Sequence, residues 1–345
     1  MFIGVVLNRR LKYFDFARGL LISWVLVDHI ALTFGIIKFQ GNSYSLASPF
    51  IWLNWFMAPF YVFSGYFFDT KKSIRNVIAN SVRTLLIPYV FFSLFGLVVY
   101  ECAEVFAGRG CDAGILSGWL PTACLRSNTP CWFFISIFLV RVLYATIDKL
   151  GPAKGIMTWF ALGCLTIACI TNGKPQVLGY GNVLLGIFFY HLGVMLRAKE
   201  TILDSILVAV PVFAAFVSIP FVCPVNGIAF VLNVMRDGGG YMVNVVFSIC
   251  GCYLLWFAAK HFSIKIPFQG MIAYIGVNSI LLFAYHRPVL NFIIAPLLRW
   301  AIPDVSPLVY AAVSYILLMG LYLVLQQYMH KLFPVALVHR EKEKL

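Results

Sequence analysis

The chain has 345 residues, 61% of them hydrophobic and 11% charged, with a formal net charge of +13 and a mean hydropathy of +0.89. A soluble domain carries about 25% charged residues, so these totals exclude a soluble globule and indicate an all-α, polytopic membrane protein. No nucleic-acid motif accompanies the positive charge, and the nine cysteines follow no metal-ligand spacing, so neither nucleic acid nor a metal is expected.

Hydropathy and turn signals predict about ten spans: 14–37, 50–68, 83–107, 131–148, 156–172, 177–196, 202–223, 241–259, 271–297 and 306–329. They form one membrane domain over 1–345, with basic tails at 1–12 and 330–345. The first run is too long for a cleavable signal, and no small-residue cleavage site follows it. Eighteen of the basic residues, Arg18 included, fall on one set of loops and six on the other. By the positive-inside rule both termini are cytoplasmic.

The first span carries Arg18, Asp28 and His29. Ionisable groups inside a span are costly and mark function by default. Arg18 and His29 are 11 positions apart. At about 100° per residue they fall within roughly 20° of one face, about 16 Å apart along the axis. Such a pair suits the two ends of one long ligand. Alternatively, Arg18 snorkels to the interface and His29 is a packed polar group on a neighbouring helix. Asp28, next to His29, points about 100° away, so a partner for His29 is expected from another span.

The second span ends in FYVFSGYFF, where Ser64 and Gly65 allow close helix approach and a hydrogen bond. Arg83 opens the third span as a phosphate ligand or a positive-inside anchor, and Pro88 kinks the helix that follows. Glu101 and Glu104 near its outer end either face water or bind an acceptor hydroxyl. The outer loop 108–130 holds Cys111 and Cys124, with Cys102 and Cys131 at its edges, and is read as disulfide-bonded or as free thiols. CWFFISIFLVRVL places Trp132 as an interface belt residue or a sugar platform. Arg141 lies deeper and needs an anion, an aqueous cavity or a route to the surface. The second outer loop, 224–240, is a lid, a re-entrant segment or a plain connection. GVNSILLFAYHRP gathers Asn278, Ser279, Tyr285, His286 and Arg287 in one span, which favours a bundle interior.

Arg18-x10-His29, FYVFSG, VRTLLIPY, CWFF and NSILLFAYH occur in that order along essentially the whole chain. This resembles the acyltransferase-3 family of membrane acyltransferases, and within it the branch of fucose 4-O-acetylase-like proteins and the enterobacterial common antigen O-acetyltransferase. The resemblance implies a ten-helix domain that takes an acyl group, usually acetyl from acetyl-CoA, on the cytoplasmic side. The group passes to a hydroxyl of a cell-surface polysaccharide or lipid-linked saccharide, at a bacterial inner or plasma membrane. It assigns a catalytic role to His29 and an essential one to Arg18. Two departures stand out: Asp28 replaces the glycine common before the histidine, and Asn80 replaces a basic residue common three positions before Arg83.

With these roles, His29 and His286 are the candidates for chemistry together with Arg18. Arg18, Arg83 and Ser64 are candidates for holding the acyl-CoA, and Trp132, Glu101, Asn278 and Arg287 for holding the acceptor. His29 serves either as general base or as an acyl-imidazole carrier, and His286 or Arg287 as oxyanion stabiliser. A secondary transporter or flippase for a glycan-lipid or small anion is the alternative, since buried Arg, His and Asp suit a proton-coupled pathway.

Overall fold

The computed structural model describes residues 2–37, 52–53, 55–110, 119, 123–150, 155–172, 174, 177–222 and 238–332, and no strand occurs among them. Helix α1 (Phe2–Thr33) is continuous, as its lack of proline permits. The expected tail at 2–12 is therefore part of the first helix. α2 spans Ala58–Tyr66. α3 spans Ile74–Phe106, capped by the Ser73 hydroxyl accepting from the Asn76 N–H at 3.3 Å. A wide π turn occupies Val82–Leu86 in α3, just before Pro88, whose missing N–H removes one bond of the α ladder.

A 3₁₀ segment, Arg126–Cys131, leads into α4 (Trp132–Leu150). Then come α5 (Ile156–Ile170), α6 (Tyr180–Ala198), α7 (Ile206–Val222) and α8 (Gly238–Phe262). The predicted span 271–297 is not one helix. It divides into α9 (Gln269–Val277), α10 (Ser279–Val289), a π turn at Leu290–Ile294 and α11 (Ala295–Ala301). The break falls at Asn278, whose buried amide donates to Gln326 Oε1 at 3.3 Å. Helix α12 (Pro307–Leu332) closes the described chain.

Among the described residues, seven helical stretches are long and apolar enough to cross a membrane by length and composition. The predicted spans 156–172 and 202–223 carry helices of 15 and 17 residues, and 50–68 carries the nine-residue α2. Trp159, Leu207, Phe213 and Ile316 are exposed on α5, α7 and α12, as a lipid-facing surface requires. The chain is a multi-pass membrane protein. Cys102 and Cys131 are free thiols; Cys111, most of the 108–130 loop and nearly all of 224–240 lie outside the described residues.

Two glycine-mediated crossings organise the bundle. An ideal Cβ on Gly19 of α1 would lie 1.9 Å from Ile272 O of α9, and one on Gly276 1.8 Å from Asp15 O. Between α2 and α6, Gly65 meets Tyr190 O and Gly193 meets Val62 O, each at 1.9 Å. Backbones touch directly at both points, as small residues permit where no hydrophobic force draws helices together.

Asn128, fully buried in the 3₁₀ segment, donates to Phe92 O of α3 at 3.0 Å and to Ala284 O of α10 at 2.7 Å. Both amide protons thus hold two spans together. Asn128→Ala is expected to destabilise the protein by about 1–3 kcal/mol, two buried hydrogen bonds being lost; a thermal melt in detergent reads the shift.

Between α6 and α8, Glu200 accepts from Tyr66 Oη at 2.6 Å and from Lys260 Nζ at 2.8 Å, and Asp204 accepts from Lys260 at 2.5 Å. His261 Nε2 lies 2.6 Å from Asp204 Oδ1. Burial pushes the Asp204 carboxyl up, but the hydrogen bonds from Lys260 and His261 outweigh it and hold it below the ordinary range. A depressed carboxylate lends stability that is present above its unfolded value and lost as pH falls through the folded one. The protein is therefore expected to melt lower below pH 4, with Asp204→Asn flattening that dependence.

Candidate functional site

Two spans bring the histidines together. His29 sits one turn before the end of α1 and His286 one turn before the end of α10. His29 Nδ1 lies 2.7 Å from His286 Nε2, with the rings stacked at 4.9 Å between centroids and 24° apart. His286 is 1% exposed, while His29 remains half-buried. The partner for His29 thus comes from another span.

Hydrogen-bond chemistry fixes the proton positions in the neutral pair. His286 Nδ1 lies 2.9 Å from Leu282 O. A carbonyl only accepts, so Nδ1 carries the proton and Nε2 presents its lone pair. His29 Nδ1 must then be the donor to His286 Nε2, which leaves the lone pair on His29 Nε2. The half-buried ring is the one with a free basic nitrogen, and the fully buried ring orients it. His286 Nε2 cannot then also donate to an oxyanion. Among the residues expected for that task, Arg287 remains.

Asp28 and Arg287, the sequence neighbours of the two histidines, lie within electrostatic reach of each other. The dipeptides Asp28-His29 and His286-Arg287 therefore set ring against ring, with the carboxylate and the guanidinium half-buried near by. This compensates two charges that are otherwise costly inside a span.

One turn further along, Thr33 Oγ1 is 2.9 Å from both His29 O and Asn291 Oδ1. Arg299 donates to Thr33 O at 3.2 Å and covers the Phe34 ring at 5.7 Å. Neither Thr33 nor Asn291 stood out in the sequence. Thr33 is one helical turn from His29 and was within reach of period counting. Asn291 was not, because it lies in the π turn, where an extra residue per turn breaks the 3.6 period.

The other sequence candidates separate from this centre. Arg18 lies on the same helix, 11 residues toward its N-terminus and so about 16 Å away. It contacts Asp15 Oδ1 at 3.4 Å, and its Cζ is 5.6 Å from the Phe67 ring centroid. Ser64 Oγ accepts from Arg141 Nε at 2.9 Å. Arg83 is exposed within the π turn of α3. Asn278 is committed to Gln326. Glu101 is half-buried on α3, and Glu104 beyond it is held by Arg109 at 2.6 and 2.8 Å. Trp132 is buried at the start of α4 and connects to the centre through aromatic contacts. It meets Phe133 edge-on at 5.9 Å, Phe133 meets Phe283 at 5.4 Å, and Phe283 lies 6.2 Å from the His286 ring.

The arrangement supplies a half-buried imidazole with a free Nε2, oriented by a second imidazole, with a half-buried carboxylate and guanidinium near by. It can take a proton from a hydroxyl or attack an acyl carbon. The family model described as an acyltransferase domain matches residues 11–326. No curated protein and no solved structure gives a significant match.

Proposed function

Because the chain belongs to this acyltransferase family, we propose that it is a membrane O-acetyltransferase of the fucose 4-O-acetylase-like and enterobacterial common antigen O-acetyltransferase branch. Its donor is acetyl-CoA or another acyl-CoA. Its acceptor is a hydroxyl of a cell-surface polysaccharide or lipid-linked saccharide. It resides in a bacterial inner or plasma membrane with both termini in the cytoplasm. The observation that carries the mechanism is the 2.7 Å contact between His29 Nδ1 and His286 Nε2, which leaves His29 Nε2 basic.

In this reading the CoA phosphates lie toward the basic cytoplasmic face, with Arg18 as a ligand. The pantetheine arm runs inward along α1, and the distance of about 16 Å from Arg18 to His29 accommodates its length. His29 Nε2 takes the proton of the acceptor hydroxyl as general base. The hydroxyl oxygen attacks the thioester carbonyl, the C–S bond breaks, and the CoA thiolate leaves with the proton returned from His29 Nε2. Arg287 faces the negative charge that develops on the carbonyl oxygen, with Asp28 offsetting its charge between turnovers. His286 holds the His29 ring and its tautomer and is a positioning residue.

The family match favours this reading over a transporter or flippase. The test is transfer from radiolabelled acetyl-CoA to envelope glycans in membranes holding matched amounts of wild type or His29→Ala. Label with the wild type that vanishes in the variant is the expected result. Label unaffected by the substitution rules out His29 as the base, and no label from folded wild type rules out acetyl as the donor group or glycan as the acceptor.

A further inference from the structure

We propose that Arg141 is a phosphate ligand for the acyl donor, part of an arginine site gathered on the C-terminal turn of α2; this rests on the donor assignment above.

Arg141 stands midway along α4 between Trp132 and Leu150, about 13 Å from either end. Its guanidinium stays charged under all ordinary conditions. No carboxylate pairs with it among the described residues. Its Nε donates to the neutral Ser64 hydroxyl at 2.9 Å. The four N–H groups on its Nη atoms have no protein acceptor among the described residues, and the side chain is only half-buried. A permanent cation in a span, fixed at one nitrogen by a neutral group and open at the others, lacks the anion that such a charge requires.

Two further arginines converge on the same turn. Arg18 of α1 lies against Phe67 at 5.6 Å. Arg197 of α6 donates to Tyr66 O at 3.5 Å and Phe68 O at 3.1 Å. Three helices thus place three guanidiniums around residues 64–68, with the Asp15 carboxylate 3.4 Å from Arg18. Phe14 of α1 packs on Phe63 and Phe67 at 5.0 and 4.9 Å. Ser64 is therefore level with the N-terminal half of α1, on the Arg18 side of the histidine pair and not beside it. Planar, bidentate donors gathered at that level suit a phosphate or diphosphate. A phospholipid headgroup presents the same chemistry as the donor, so the test separates the two.

Purified protein in phosphatidylcholine nanodiscs is titrated with CoA and with millimolar pantetheine, which lacks the phosphates. Arg141→Gln is expected to weaken CoA binding by about 10- to 100-fold, the range for a charge-assisted contact, and to leave pantetheine binding unchanged. Arg141→Lys retains the charge without the fork and is expected to lose about tenfold or less. Ser64→Ala, which frees the guanidinium without removing it, is expected to weaken CoA selectively by about two- to fivefold and serves should Arg141→Gln fail to fold. Unchanged CoA affinity in the Arg141 variants, or equal weakening of CoA and pantetheine, overturns the inference and leaves the donor assignment standing. Absence of CoA binding by the wild type overturns the donor assignment and the inference with it. In nanodiscs containing phosphatidylglycerol the Arg141 dependence is expected to persist; its disappearance would show the site to be filled by lipid headgroup, against the inference.

Discussion

His29→Ala is expected to lower acyl transfer by about 10²- to 10⁴-fold, the factor a positioned general base supplies. His286→Ala is expected to lower it less, by about 10- to 100-fold, the usual cost of losing a partner that only orients a reacting imidazole. The order follows from the hydrogen bonds. His286 Nδ1 is committed to Leu282 O and its Nε2 to His29 Nδ1, so His286 has no free nitrogen with which to meet a substrate. His29 has one. Truncating His29 also strands the buried His286 Nε2, which costs about 1–3 kcal/mol of stability. His29→Gln is the companion variant, since its amide can still donate to His286 Nε2. Equal protein levels and melts for His29→Gln and wild type, with transfer lost, would place the effect in the chemistry. Greater damage from His286→Ala than from His29→Ala would reverse the two roles. Transfer retained in both would remove the histidine pair from the reaction.

The sequence exposed α1 and its two marked residues because an isolated charge in an apolar run of 20 or more residues is a strong local signal. It also indicated that Asp28 was poorly placed to orient His29, since adjacent residues on a helix diverge by about 100°. That His286 is the partner is a tertiary fact, made by the packing of α10 against α1, and no local pattern encodes it. The break at Asn278 was hidden for a related reason. Hydropathy reads 271–297 as one apolar stretch, whereas the pairing of Asn278 with Gln326, a residue 48 positions away, accompanies a helix break that composition does not register. Ser64 is the converse case. Its place in a small-residue break was visible, but the residue it holds, Arg141, lies on another span. Asn291 escaped because a π turn alters the period by which faces are counted.

The second large effect concerns the crossing of α2 and α6. Gly193→Ala and Gly65→Ala are each expected to cost more than the 1–3 kcal/mol typical of overpacking and to remove most folded protein from membranes. The added methyl is small, but what it meets is not a side chain that can rotate away. At Gly193 the Cβ would stand 1.9 Å from Val62 O and 2.8 Å from Tyr66 N, and at Gly65 1.9 Å from Tyr190 O. All are backbone atoms of helices that must separate as units. Separation would propagate, because this crossing also sets the turn that carries Ser64 and receives Arg141, Arg18 and Arg197. Gly163 of α5 and Gly320 of α12 are the internal controls, since a Cβ at either meets nothing within 4 Å. There alanine replaces the most costly residue for a helix interior save proline, and gains of about 0.5–1 kcal/mol are expected. Folded yield and melting temperature in detergent across the four variants make the comparison. A uniform response would mean that glycine acts here through helix propensity alone. A fall at positions 65 and 193 with a rise at 163 and 320 would mean that backbone contact between α2 and α6 holds the bundle, and with it the arginines of the α2 turn, in place.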